Sequence, residues 1–161
     1  MFKLRYSSTS PFVRKVRVVS IETGQEKDIE LIKTVTADPA CDIGKDNPLN
    51  KVPALVLEDG STLYDSHVIC EFLDARPGGG KFFPAPGPAR WTALRQEALA
   101  NGMADAGVLR MMETRRPAGE QSAGWMTRQK LKMDQGLDQL EKEAASFVSG
   151  FDIGLMTIAI V

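Results

Sequence analysis

Hydrophobic and polar positions alternate in short bursts through the first half of the chain, then lengthen into helical stripes. Phe2, Leu4 and Tyr6 alternate with Lys3 and Arg5, which predicts a short strand. Beyond Pro11, the residues Phe12, Val13, Val16 and Val19 fall at helical spacing, with Arg14, Lys15 and Arg17 on the remainder. Proline suits the first helical position, where its missing N–H would have had no partner, and Ser10 is then a good N-cap. A second strand is predicted over residues 28–32, with Ile29 and Leu31 on one face. A hairpin follows, with arms at 54–57 and 62–64 around an Asp59-Gly60 turn. Asp65 or Ser66 caps the next helix, whose apolar stripe is Val68, Ile69, Phe72 and Leu73.

The stretch "RPGGGKFFPAPGPAR" is too dense in Pro and Gly to continue that helix. It reads as an interdomain linker over 77–88, with Phe82 and Phe83 pinning it to a domain. Everything from residue 89 to 161 looks helical. Trp91, Leu94, Ala98, Met103, Ala106, Leu109 and Met112 form one long stripe that stops before Pro117. Trp125, Met133, Leu137 and Leu140 mark a second helix, and the apolar "FDIGLMTIAIV" closes the chain. Met103, Met111, Met112, Met126 and Met133 read as core packing, with an adaptable apolar pocket as the alternative. No internal repeat is present.

Composition narrows the function without naming it. The 161 residues are 43% hydrophobic and 25% charged, an ordinary globular balance. A formal net charge of −1 gives no basic footprint for nucleic acid or an anionic membrane. No apolar run is long enough to span a bilayer, and no N-terminal stretch reads as a secretory signal. Cys41 and Cys70 lie far apart and form no CxxC, which points to a reduced, cytoplasmic protein. One His and two Cys do not make a structural metal site.

The chemistry-bearing residues cluster at element ends. Ser7, Ser8, Thr9 and Ser10 put hydroxyls at a positive helix end, which suits holding an anion. His67 falls in the first turn of its helix and reads as a solvated surface residue. Cys41 reads as a free loop thiol and Cys70 as core.

Three motifs in this order resemble the glutathione transferase superfamily, its bacterial members above all: "TSPFVRKV" (9–16), "NPLNKVPALVLEDG" (47–60) and "LYDSHVICEFL" (63–73). The resemblance covers nearly the whole chain. It implies an α/β, thioredoxin-like glutathione-binding domain over 1–76 and an all-helical C-terminal domain over 89–161. Two departures stand out. The family usually continues "FDIG" with an acidic residue that helps cap the next helix, where this chain has Leu155. The family's helical domain also runs on for several helices past the position of Val161, which implies a fragment or an incomplete helical domain.

The resemblance also implies a site. Glutathione would be the co-substrate, with no other cofactor, and a small electrophile the second substrate. Val52-Pro53, with the cis peptide of the family, would pair with the cysteinyl unit, although the same residues serve equally as a strand lead-in. Asp65 and Ser66 would hold the γ-glutamyl end, or act as a plain N-cap pair. Lys33 or Lys51 would meet the glycyl carboxylate, unless both are solvated, and Phe12 is placed among the contacts. Family members differ over which residue near Pro11 touches sulfur. Ser10 is the first choice, Thr9 the second and Ser8 the third, with Tyr6 below them.

One hydroxyl is enough for the chemistry. A free thiol of pKa ~8.5 is only a few per cent thiolate at neutral pH. A hydrogen bond to the charged sulfur contributes about 1.5–3 kcal/mol, which lowers the pKa by about one to two pH units. The helix end adds about 0.3–1 kcal/mol. A serine also cannot form the mixed disulfide that a cysteine here would, which favours conjugation over disulfide reduction. The alternative is a non-catalytic binding or regulatory module on the same fold. A homodimer is implied, with residues 91–112 and 65–73 at the interface, small residues Ala100, Gly102, Ala104, Ala106 and Gly107 allowing close approach, and Arg95 and Asp105 at the rim.

Overall fold

The computed structural model describes residues 1–77, 79–147 and 150–161. Among these, four strands make one sheet: β1 (Phe2–Tyr6), β2 (Ile29–Lys33), β3 (Ala54–Val56) and β4 (Thr62–Leu63). Their spatial order is β2-β1-β3-β4. β2 runs parallel to β1, with Phe2 opposite Ile29 and Tyr6 opposite Lys33. A parallel pair needs a crossover, supplied here by helix α1 (Pro11–Glu22). β3 is antiparallel to β1, with Arg5 opposite Ala54, and β4 is antiparallel to β3, with Leu55 opposite Leu63.

The elements arise where the pattern predicts them, with shifted ends. β2 begins one residue late because a 3₁₀ turn occupies Glu26–Asp28. The hairpin arms are shorter than expected. Leu57 N–H donates to the Ser61 carbonyl at 2.8 Å and Gly60 N–H to the Leu57 carbonyl at 3.1 Å, so the turn already begins at Leu57. Gly60 has φ +84°, which a residue without Cβ adopts freely. Leu31 shares its face with its register partner Leu4, yet is exposed while Leu4 is buried. It lies on the edge strand, covered from one side only.

α1 and α2 (Ser66–Asp74) pack against each other. Leu4, Val13, Val16, Val19, Leu55, Ile69, Cys70 and Leu73 form the buried core of this unit. Lys15, expected on the charged face, is buried as well. It lies one turn from Val19, so the apolar stripe carries it inward. Val68, expected in the stripe of α2, is exposed. The buried Asp74 carboxylate accepts from the backbone N–H groups of Lys81 (2.9 Å), Phe82 (3.2 Å) and Phe83 (2.9 Å). Phe82 is buried and Phe83 half-buried, so both phenylalanines anchor the segment after α2.

The chain folds as two units, Met1–Pro84 and Ala85–Ala159. The second holds α3 (Pro88–Thr114), α4 (Ala123–Glu143) and α5 (Ile153–Ile158). Here the apolar stripe expected from the sequence is buried only in part, at Met103 and Ala106. Trp91, Leu109, Met111 and Met112 are exposed, and the buried face of α3 is Ala93, Gln96, Glu97, Ala100, Met103, Ala104 and Ala106. On α4, Trp125 and Leu137 are exposed while Gln129, Gly136 and Leu140 are buried. Close approach between helices explains why the bulky members of the stripe lie outside. A Cβ on Gly154 would lie 2.6 Å from the Ala93 carbonyl oxygen and 2.8 Å from Gln96 Cβ, and one on Gly107 would touch Met133. Only small residues fit such contacts. Ala100, Ala104 and Ala106 are therefore already buried within this chain, and among the expected interface residues Gly102 has open space beside it.

Two polar devices hold this unit. Arg95 makes a bidentate pair with Glu143 at 2.9 and 2.7 Å within the chain. Asp152 caps α5, its carboxylate accepting from Leu155 N–H at 3.0 Å. The cap thus comes from within "FDIG", before Leu155. No helix among the described residues is long and apolar enough to cross a membrane.

Candidate functional site

Strand polarity gathers the chemistry at one end of the sheet. β1 ends at Tyr6 and releases the hydroxyl run Ser7–Ser10. Parallel β2 ends beside it, with Lys33 opposite Tyr6. β3 is antiparallel, so its start, preceded by Val52-Pro53, lies at that same end, where Ala54 faces Arg5. β4 runs back toward it and leads through Tyr64 into Asp65 and Ser66. Neighbouring strands stand about 4.8 Å apart, so the order across this end is Asp65-Ser66, Val52-Pro53, Ser7–Ser10 and Lys33. Val52-Pro53 and Tyr64-Asp65 are both cis.

The hydroxyls are not equivalent. Ser10 is the N-cap of α1, with extended backbone (φ −81°, ψ 121°), and its Oγ accepts from Val13 N–H at 3.3 Å. That bond uses a lone pair and leaves the Ser10 O–H proton for another acceptor. Thr9 is exposed, and its Oγ1 lies 3.2 Å from Ser7 Oγ. Ser8 is exposed. Ser7, Ser8 and Ser10 line an open cleft of about 230 Å³, with Tyr6, Arg14 and Arg17, whereas Thr9 and Phe12 do not line it.

A second helix start lies at the same end of the sheet, outside the lining of that cleft. Asp65 caps α2 and accepts from His67 N–H at 3.1 Å. Ser66 is buried at the first helical position. The first-turn N–H groups of Ser66 and Val68 have no intrahelical acceptor, so they add to the positive helix end. His67 is half-buried rather than fully solvated. It packs edge-on to the Phe83 ring, centroids 5.6 Å apart, and its Nε2 lies 3.8 Å from Glu71 Oε2.

Between the two helix starts stands Val52, half-buried, with no hydrogen bond to its backbone N–H or carbonyl among the described residues. Lys33 and Lys51 are both exposed. The loop carrying Val52 is positioned by two residues outside the expected site, Asn47 and Arg5. Buried Asn47 donates from Nδ2 to the Lys51 carbonyl at 2.8 Å and accepts from Leu49 N–H at 3.0 Å. Its signal was the "NPLN" turn chemistry. Arg5 reaches from β1 to Asp42 and to Asp46, the latter at 3.4 Å. Its guanidinium holds the Asp42 carboxyl below its ordinary range. Arg14 and Arg17, expected only on the polar face of α1, line the cleft.

Known proteins share this sequence and fold. Residues 9–76 match the glutathione S-transferase N-terminal domain family. The chain is 35% identical to the GST-like protein YibF of Escherichia coli (strain K12) over 159 residues, covering 98% of this chain and 78% of that one. A glutathione S-transferase from Methylobacillus flagellatus with glutathione bound is 38% identical, with a TM-score of 0.91, over 99% of this chain and 80% of that one. A glutathione transferase family member from Pseudomonas fluorescens Pf-5 with bound glutathione has the same identity and coverage and a TM-score of 0.93. It has also been solved with bound S-(propanoic acid)-glutathione. Sheet end, helix starts and similarity along nearly the full length converge, and the chain belongs to the glutathione transferase superfamily, with a thioredoxin-like N-terminal domain and a helical C-terminal domain.

Proposed function

We propose that this protein is a glutathione transferase in which Ser10 donates its hydroxyl hydrogen bond to glutathione sulfur, holding it as thiolate for attack on a small electrophile. The observation that carries the reading is the state of Ser10. Its oxygen is fixed by Val13 N–H, its proton is uncommitted, and it lines the cleft at a helix N-terminus. Thiolate is the nucleophile, and a charge-assisted hydrogen bond favours it over thiol. In this reading the γ-glutamyl carboxylate sits on the α2 N-terminus at Ser66, with Asp65 facing the ammonium. The open backbone of Val52 pairs with the cysteinyl unit, and Lys51 or Lys33 takes the glycyl carboxylate. The relatives that hold glutathione, and the one that holds glutathione carrying a propanoic acid on sulfur, support both the ligand and the thioether product.

The test is the ionisation of bound glutathione, followed by thiolate ultraviolet absorbance across pH. We expect a bound-thiol pKa near 7 in the wild type, about one to two pH units higher in Ser10→Ala. An unshifted thiol would remove the mechanism and leave a glutathione-binding module. We also propose a homodimer, in which residues 91–112 and α2 present the exposed Trp91, Leu109, Met112 and Val68 to a second copy. Sedimentation should report about twice the 17.6 kDa chain mass, and a monomer that still conjugates glutathione would dispose of this assembly.

A further inference from the structure

The cleft beyond Ser10 carries a charge that thiolate stabilisation does not use. Ser10, Arg14, Arg17, Val18 and Ile21 all line it. They stand at i, i+4, i+7, i+8 and i+11, one face of α1. At 1.5 Å per residue, Arg14 and Arg17 lie about 6 and 10 Å along the axis from Ser10. Val18 and Ile21 add an apolar wall, and no acidic residue lines the cleft. Arg17 meets Glu26 at 3.9 Å, the outer limit of an ion pair, with both side chains well exposed. Arg14 has no ion-pair partner among the described residues. The carboxylates of glutathione are already assigned to Ser66 and to Lys51 or Lys33, so neither arginine is needed for the co-substrate.

We infer that the electrophile of this protein carries a carboxylate, gripped by Arg14 with Arg17 behind it, while its reactive body spans the stretch of cleft between Arg14 and Ser10. The inference rests on the transferase reading above and adds the substrate class. A guanidinium matches a carboxylate through two parallel N–H donors, which fixes direction as well as charge. The reacting carbon is then held at the Ser10 end, facing sulfur. With an aryl halide acid the thiolate adds to the halogen-bearing ring carbon, forming the C–S bond. The C–halogen bond then breaks and halide leaves with the bonding pair. The thiol proton has already passed to solvent on ionisation, and no oxidant or reductant is needed.

A matched pair of electrophiles tests this: 4-chloro-3-nitrobenzoate and 4-chloro-3-nitrobenzamide, alike in leaving group and shape and different in charge. Each kcat/KM is divided by the uncatalysed rate with glutathione. The wild type should favour the acid by about tenfold, and Arg14→Gln should bring the ratio close to one through a higher KM for the acid, with Arg17→Gln intermediate. Equal preference in the wild type, or an unchanged ratio in Arg14→Gln, overturns the inference. Calorimetry with the two glutathione conjugates is the second arm, free of turnover. Tighter binding of the carboxylate conjugate, lost in Arg14→Gln, supports the site, and equal binding overturns it. Failure of glutathione itself to bind would instead bring down the transferase reading, and the carboxylate site with it.

Discussion

In the N-terminal unit the buried faces are apolar stripes and the polar groups collect where strands end. In the helical unit the buried face of α3 is alanine, Gln96, Glu97 and one methionine, while Trp91, Leu109 and Met112 lie outside. The difference lies in what each core demands. A helix against a sheet needs bulk, and Val13, Val16, Val19, Ile69 and Leu73 supply it at helical spacing. Helices in near contact need the absence of bulk, and Gly154 against the Ala93 carbonyl is the limiting case. One unit therefore spends its unusual residues on a site, the other on packing.

The largest expected effect breaks the helical side of that contrast. Gly154→Val forces a branched side chain onto a backbone carbonyl 2.6 Å from the Cβ position. It should cost about 3 kcal/mol or more, against less than about 0.5 kcal/mol for exposed Leu109→Ala. Urea unfolding of the two variants decides it, and equal stability would mean that close approach does not set the composition of α3.

Next comes the chemical side, where the two helix starts should separate by kinetics. Ser10→Ala should lower kcat by about 10- to 100-fold with glutathione affinity nearly unchanged, because the contact proposed for it is to the ionised sulfur. Asp65→Ala and Ser66→Ala should raise the glutathione Kd by about tenfold and disturb saturated turnover less, because in the proposed site they hold ground and transition state alike. Ser10→Ala also loses a cap worth about 1 kcal/mol, so its unfolding is measured alongside. Full activity in Ser10→Ala with loss in Thr9→Ala or Ser8→Ala would move the sulfur contact to that neighbour.

The smallest effect sharpens the role of polar pairs in the helical unit. Arg95, then Gln139, hold the Glu143 carboxyl down to about 2 from an ordinary 4.5. A depressed carboxylate contributes stability that is full above the ordinary value and is lost as pH falls through the lowered one. Wild-type stability should therefore decline between about pH 4.5 and 2, and Glu143→Gln should flatten that part of the profile. Because Arg95 is half exposed, added salt should shrink the difference. An identical profile in the variant would show that the pair is structurally idle.

Legibility followed the same division. The Ser10 cap, Pro11 start, Asp59-Gly60 turn and Asp65 cap were readable because each is a local rule of backbone donors, fixed φ or positive φ. The buried Lys15 was not, because charge suggested solvent while its helical phase placed it one turn from Val19. Asn47 and Arg5 escaped notice because their work is to bind loop to strand, a contact that spacing does not encode. The stripe on α3 misled because hydrophobicity marks a core only where the partner leaves room for it.

Sequence by itself determined the order of elements, the helix starts and the family, since these rest on short-range backbone chemistry and motifs in register. Tertiary structure alone decided which hydroxyl is both fixed and free to donate. It also decided which face of α3 is buried and that Arg14 and Arg17 share a cleft with Ser10. Those depend on strand polarity, interhelical distance and the shape of open space, which arise when elements pack and leave no periodic mark on the chain.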